Sequence, residues 1–244
     1  MLPGIGAGSD EFLLWGASYQ IIAWYGAILG FYVSHRWGGI KSFVGRAVLS
    51  FALGLLFQSF GQTAYTWYIY VLHIPIPYPS IGDIGFFGSI PFYFYGAFML
   101  AKASGSKVSF RSWGNKIQVV LIPLILLGFS YFMFLQNYEA DLTQPLKTFL
   151  DFGYPIGQAI YVSMAIIAYV LSRKLLGGMM RWPVLFFIIA LIAQYFCDST
   201  FLYEAAAGAY YPANINDLMY CISYTFMALS IAHIGEIFRR VEET

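Results

Sequence analysis

The sequence is short of charge. Only 10% of its 244 residues are Asp, Glu, Lys or Arg, against about 25% in a soluble domain. So few charges cannot coat a water-facing surface, which excludes a soluble enzyme and a disordered regulator. Thirteen Lys and Arg nearly balance twelve Asp and Glu. That leaves no basic face for phosphate, so nucleic acid is excluded as a partner. Two cysteines are too few for a disulfide framework. The three histidines, His35, His73 and His233, lie at distant points of the chain and cannot jointly hold one metal ion. No metal or other cofactor is expected.

What the chain has instead is apolar length. Hydrophobic residues make up 59% of it. A bilayer core about 30 Å thick needs about 20 mostly apolar residues to cross it as helix. Seven runs qualify: Phe12–Val33, Gly45–Tyr70, Ile81–Ala101, Ile117–Leu135, Leu146–Leu171, Trp182–Tyr203 and Asn214–Phe238. Backbone polar groups must be satisfied within each run, which makes helix the expected state. The alternation of a membrane barrel is absent. The expected fold is an all-α integral membrane protein, one seven-transmembrane-helix bundle over residues 1–244. The start, Met1–Glu11, has no basic segment and does not read as a cleaved signal peptide.

Loop charge predicts the orientation. Arg36 and Lys41 fall between runs 1 and 2, with Arg46 at the start of run 2; Lys102, Lys107, Arg111 and Lys116 between runs 3 and 4; Arg173, Lys174 and Arg181 between runs 5 and 6; Arg239 and Arg240 after run 7. All lie on one side, and only Lys147 lies opposite. The positive-inside rule then puts the C-terminus in the cytoplasm and the N-terminus outside. The outer loop His73-Ile-Pro-Ile-Pro-Tyr-Pro predicts an extended path. No loop is long enough for a catalytic domain, and enzymatic activity is not expected.

Polar groups inside membrane helices are costly and mark function by default. Run 2 carries Gln58 and Gln62, run 3 opens with Asp83, run 5 carries Asp151 and Gln158, run 6 carries Gln194 and Asp198, and run 7 opens with Asp217. Given the orientation, all fall in the middle or outer part of the bundle. The inner stretches Phe92–Ala101, Pro183–Ala193 and Phe226–Ile231 carry no charge. The pattern predicts an acidic cavity open to the outside above an apolar floor. A repeat runs through it: Asp83 with Phe86, Asp151 with Tyr154, and Asp217 with Tyr220. Three residues apart on a helix is one face, and an aromatic ring beside a carboxylate suits an organic cation or a flat ring. The candidate ligand- or cation-binding residues are Asp198, Asp151, Asp83, Asp217, Gln58, Gln62, Gln194, Gln158, Tyr154 and Tyr220.

Each of these groups also has a structural explanation. Ser80 with Asp83, and Asn214 with Asp217, have the spacing of helix-start capping pairs. Asp151 follows Lys147 by four residues and could pair with it. The glutamines could join helices by hydrogen bonds. Asp198 stands apart, near a helix C-terminus where the dipole disfavours negative charge. Pro91 and Pro155 are expected to kink runs 3 and 5. Cys197 and Cys221 could reach one another, although free buried thiols are the expectation.

Several families are set aside. Run 7 has no lysine between Asp217 and Phe238, and a retinal Schiff base needs one. Ser80-Ile-Gly-Asp83 lacks the first glycine of the intramembrane aspartyl proteases and has no Tyr-Asp partner. A carrier or channel would continue its polar groups past the midplane, and here they stop.

Two segments carry a resemblance: Tyr78-Pro-Ser-Ile-Gly-Asp83-Ile-Gly-Phe-Phe87 and Leu150-Asp-Phe-Gly-Tyr-Pro155. They resemble the seven-helix N-terminal membrane sensor domains of some bacterial diguanylate cyclases and sensor histidine kinases. Those domains show a Pro-Ser-x-x-Asp segment opening one helix and an Asp-x-x-Tyr-Pro segment in a later one. The resemblance implies a sensory or ligand-binding role with Asp83, Asp151 and Tyr154 as the matched positions. After run 7 only Arg239–Thr244 follow, so a signal is expected to pass to a cytoplasmic or membrane protein partner. The expected function is a receptor-like or sensory module of a prokaryotic plasma membrane, binding a small ligand or cation from outside. The alternative is a structural or accessory subunit of a larger membrane complex, with a carrier or channel behind it.

Overall fold

A computed structural model describes residues 10–103, 113–132, 136, 142–172, 178–206 and 209–243. The described residues are helical with no strand. The elements are α1 (Asp10–Ser18), α2 (Ile21–Arg36), α3 (Phe43–Thr66), α4 (Gly82–Ala103), α5 (Trp113–Ser130), α6 (Pro145–Ser172), α7 (Arg181–Ala206) and α8 (Ile215–Glu242). A π-helical turn, Trp67–Val71, extends α3. Lys107, Arg111, Arg173 and Lys174, and the end of run 4 at 133–135, lie outside the described residues.

Local chemistry sets the helix starts. Ser42 is extended and its hydroxyl accepts the Gly45 N–H at 2.9 Å, which begins α3 two residues before the predicted run. Asn214 does the same for α8, accepting from the amides of Asn216 and Asp217. The α4 carboxylate Asp83 accepts the Ser80 N–H at 2.7 Å, the capping pair read from the sequence. α6 begins on Pro145, whose missing N–H costs nothing at a first helical position.

Run 1 differs from expectation. It is broken at Tyr19–Gln20 into α1 and α2. The Gln20 side chain explains how the break is tolerated. Its amide donates to the Ala17 carbonyl at 3.1 Å and it exchanges hydrogen bonds with Thr63 and Thr66 of α3. A carbonyl freed by the break is thereby satisfied within the bundle.

Six helices close into a ring, in the order α2, α3, α4, α6, α7, α8 and back to α2. α5 stands outside it against α6, and reaches α7 through the Tyr195 hydroxyl, which donates to the Leu126 carbonyl at 2.8 Å and pairs with Ser130 at 2.6 Å. The tightest seam is between α3 and α4. A Cβ on Gly85 would lie 2.4 Å from the Phe57 carbonyl and 2.6 Å from the Gly61 nitrogen. Small residues let backbones approach this closely.

The side-chain distribution is that of a bundle in apolar solvent. Ile28, Phe60, Ile84, Ile117 and Ile125 face outward and are exposed, whereas Gln58, Gln158, Gln194 and Asp198 are buried. Exposed apolar surface on this scale is foreign to soluble monomers. Among the described residues four helices are long and apolar enough to cross a membrane: Phe43–Val71, Gly82–Ala103, Arg181–Glu204 and Ile215–Glu242. These features point to a multi-pass membrane protein. One half of the ring is packed with apolar side chains, where Phe51 stacks on Phe187 at 3.9 Å and Leu55, Leu191, Met227 and Ile231 fill in around them. Ion pairs among the described residues lie at that end of the ring: Arg36 with Glu242, and Glu236 with Arg239 and Arg240.

Candidate functional site

Above the apolar layer, three carboxylates from three helices face one cavity. They are Asp83 at the start of α4, Asp198 near the end of α7 and Asp217 at the start of α8. Gln62 of α3 joins them, and the rings of Tyr65, Phe86, Tyr154, Phe201, Tyr210 and Tyr220 complete the wall with Leu202. The space free of atoms is about 370 Å³, but it is narrow. It has room for about one or two water-sized groups. Among the described residues none lining it is basic.

Each carboxylate is held by neutral donors. Asp198 accepts from the Tyr220 hydroxyl at 2.5 Å, from Gln158 at 2.6 Å and from Gln194 at 3.1 Å. Asp83 accepts from the Tyr154 hydroxyl at 2.8 Å and from the Ser80 amide and hydroxyl. Asp217 accepts from the Ala213 N–H at 2.6 Å and from the hydroxyls of Tyr19 and Tyr210, both at 3.3 Å. Hydrogen bonds spread a charge but do not cancel it. Three acids in a low-dielectric wall make the cavity attractive to a cation, whose charge in turn favours their ionised forms.

The Tyr65 hydroxyl is a buried polar atom of the wall that lies beside Ser80 without a well-formed hydrogen bond. Tyr65 is 5% exposed, and its hydroxyl finds no hydrogen-bond partner among the described residues. A buried polar group without a partner is costly, and here it borders the acidic cavity.

A second polar layer supports the first. The Tyr224 hydroxyl donates to Gln58 at 3.1 Å, Gln58 donates to Ser89 at 2.8 Å, and Gln62 reaches Tyr224 at 3.5 Å. Ser223 donates to Gln194 at 3.1 Å. Thus Gln58, Gln158 and Gln194 join helices behind the site and do not line the cavity, the structural explanation given for these residues. Asp151 does not line it either. It accepts the Tyr78 hydroxyl at 2.7 Å and so ties α6 to the segment before α4. Burial pushes the Tyr78 hydroxyl above its ordinary value, and the bond to Asp151 pushes it further.

Next to the cavity lies a wider groove open to solvent, walled by Ile74, Pro75, Tyr78, Tyr211 and Pro212. Phe201 and Tyr210 border both spaces, with ring centroids 5.0 Å apart, edge to face. Burial pushes the Tyr210 hydroxyl up, and Asp217 beside it adds to the shift. The loop His73–Pro79 has neither helix nor strand and borders this groove.

Six of the ten candidate residues line the cavity: Asp83, Asp198, Asp217, Gln62, Tyr154 and Tyr220. Tyr65, Phe86, Phe201, Leu202 and Tyr210 also line it and are not among the candidates. Two of these follow the same spacing as the repeat, since Tyr65 lies three residues after Gln62 and Phe201 three after Asp198. Cys197 and Cys221 are free thiols. Among the described residues no three His, Cys, Asp or Glu side chains converge on a metal position. No family model, curated protein or solved structure matches the chain.

Proposed function

We propose that this chain is a receptor-like sensory module spanning a prokaryotic plasma membrane seven times, N-terminus outside and C-terminus in the cytoplasm. It takes a small ligand or cation from outside into the acidic cavity and passes a helix shift to a cytoplasmic or membrane partner. One observation carries the reading: carboxylates from α4, α7 and α8 border a single aromatic-walled cavity with no basic residue in its described wall. A ligand held by three helices can bias their relative positions, provided it binds one arrangement more tightly than another. The basic residues in the loops support the orientation, and the resemblance to bacterial sensor domains supports the role.

The experiment is a thermal-unfolding screen of the purified full chain against inorganic cations, amines, sugars and lipids. A ligand that binds only the folded state raises its midpoint. Asp198→Asn is expected to abolish the rise. A screen in which nothing raises the midpoint, or an Asp198→Asn protein that keeps the rise, overturns the reading.

A second reading is an accessory subunit whose acids only brace the bundle. The complete neutral donor sets around Asp83, Asp198 and Asp217 favour it. A subunit of this kind gives no midpoint shift with any small molecule and co-purifies with its complex.

A further inference from the structure

The cavity and the groove outside it differ in shape and chemistry, and together they restrict the ligand. Resting on the sensory reading above, we infer that the site takes a primary ammonium ion carrying an apolar tail, with the –NH₃⁺ head among Asp83, Asp198 and Asp217 and the tail in the outer groove.

Charge selects a cation, because all three carboxylates are held by neutral donors only. The aromatic wall disfavours a metal ion. Among the described residues the carboxylates do not converge on a metal position, whereas an ammonium gains from the ring faces between them. Size selects the head. The inner space holds about one or two water-sized groups, which suits –NH₃⁺ and is too small for a trimethylammonium. The unpartnered Tyr65 hydroxyl selects an N–H bearer. It can accept a hydrogen bond from a primary ammonium, and a quaternary nitrogen has none to give.

The tail follows from the groove. It is a wide groove open to solvent and largely apolar, walled by isoleucines, prolines and aromatic rings with His73 among them. Phe201 and Tyr210 stand between the two spaces and touch edge to face, so a ligand spanning both subsites parts this ring pair. Burying an apolar tail there adds affinity in proportion to the area removed from water. Head and tail then act as one ligand on two adjoining subsites.

The test is binding to the full chain in nanodiscs, with four probes: 2-phenylethylamine, its N,N,N-trimethyl derivative, ethylamine and 3-phenylpropionate. The expected order puts 2-phenylethylamine first, at least about tenfold tighter than the trimethyl derivative and than ethylamine, with no binding of 3-phenylpropionate. Tyr65→Phe is expected to narrow the gap between primary and trimethyl heads. Tyr211→Ser, an exposed position in the groove, is expected to narrow the gap between 2-phenylethylamine and ethylamine without affecting folding. Equal binding of the trimethyl derivative overturns the head assignment, and equal binding of ethylamine overturns the tail assignment. If no amine binds but a sugar or an inorganic cation binds in an Asp198-dependent way, the inference falls and the sensory reading stands. If no class of probe binds, both fall.

Discussion

Tyr154 on α6 donates its hydroxyl to Asp83 on α4 at 2.8 Å, although Asp151 lies three residues before it on its own helix. The same crossing recurs. Tyr220 of α8 serves Asp198 of α7, Tyr19 at the α1–α2 break serves Asp217 of α8, and Tyr78 before α4 serves Asp151 of α6. Each carboxylate is thus satisfied by a tyrosine from another element. The repeated Asp and aromatic spacing supplies the parts, and the pairing between helices is a property of the assembled ring.

The crossing predicts an order of stabilities. Tyr154→Phe removes a bond of 2.8 Å to a buried carboxylate. It should cost about 1.5–3 kcal/mol, the range for hydrogen bonds to charged groups. Tyr19→Phe removes a bond of 3.3 Å from a carboxylate that keeps two other donors, and should cost less. Unfolding midpoints of the two variants in the same detergent check this. The reverse order would count against the crossing as the stabilising device.

Asp198 gives a second prediction. Asp198→Leu leaves the Gln158 amide, the Gln194 amide and the Tyr220 hydroxyl without their acceptor. Each orphaned buried donor costs about 1–3 kcal/mol, so the variant should unfold well below the parent or fail to accumulate. Asp198→Asn keeps one acceptor oxygen and should fall between the two. The check is the ordering of the three midpoints without any ligand. A Leu variant as stable as the parent would mean that this network does not hold α6, α7 and α8 together.

Part of this site is legible from residue spacing alone. Capping chemistry is local, so Ser80 with Asp83 and Asn214 with Asp217 can be read directly. Helical spacing also groups Gln194 with Asp198, and they do bond. Depth and partner are another matter. Asp151 and Gln158 share a face by spacing, yet one meets Tyr78 near the helix start while the other meets Asp198 two turns further on. Which neighbour a side chain meets depends on how α6 sits against α4 and α7, and a single run of sequence does not encode that. The break at Tyr19–Gln20 is hidden for the same reason. Its compensation comes from Thr63 and Thr66, more than forty residues away.

The α3–α4 seam yields a third prediction. Gly85→Ala would place a methyl 2.4 Å from the Phe57 carbonyl and 2.6 Å from the Gly61 nitrogen. Both are backbone atoms and cannot swing aside, so the helices must separate. Overpacking of this kind costs about 1–3 kcal/mol. Separation should also disturb the cavity, because Gln62 and Asp83 lie beside the seam. The expected outcome is a lower midpoint together with weaker ligand binding. A Gly85→Ala protein of parental stability would show that the two helices can part freely.

The outer cap should respond to alkali. The Tyr78 hydroxyl lies above its ordinary value because it is buried and then because it is bonded to Asp151. A group that holds its proton more tightly when folded than when unfolded stabilises fully below its unfolded value, and that contribution is lost as pH rises through the folded one. For a tyrosine the unfolded value is about 10. Tyr78 therefore contributes no pH slope through the neutral range, and its contribution declines only above about pH 10. Tyr78→Phe should lower the midpoint by a constant amount up to about pH 9, and the gap between variant and parent should shrink beyond about pH 10. Paired melts of the two proteins isolate Tyr78 from the many other tyrosines that titrate in the same range. A gap that stays constant into strong alkali would show that the Tyr78 proton does not contribute to holding the outer loop on α6.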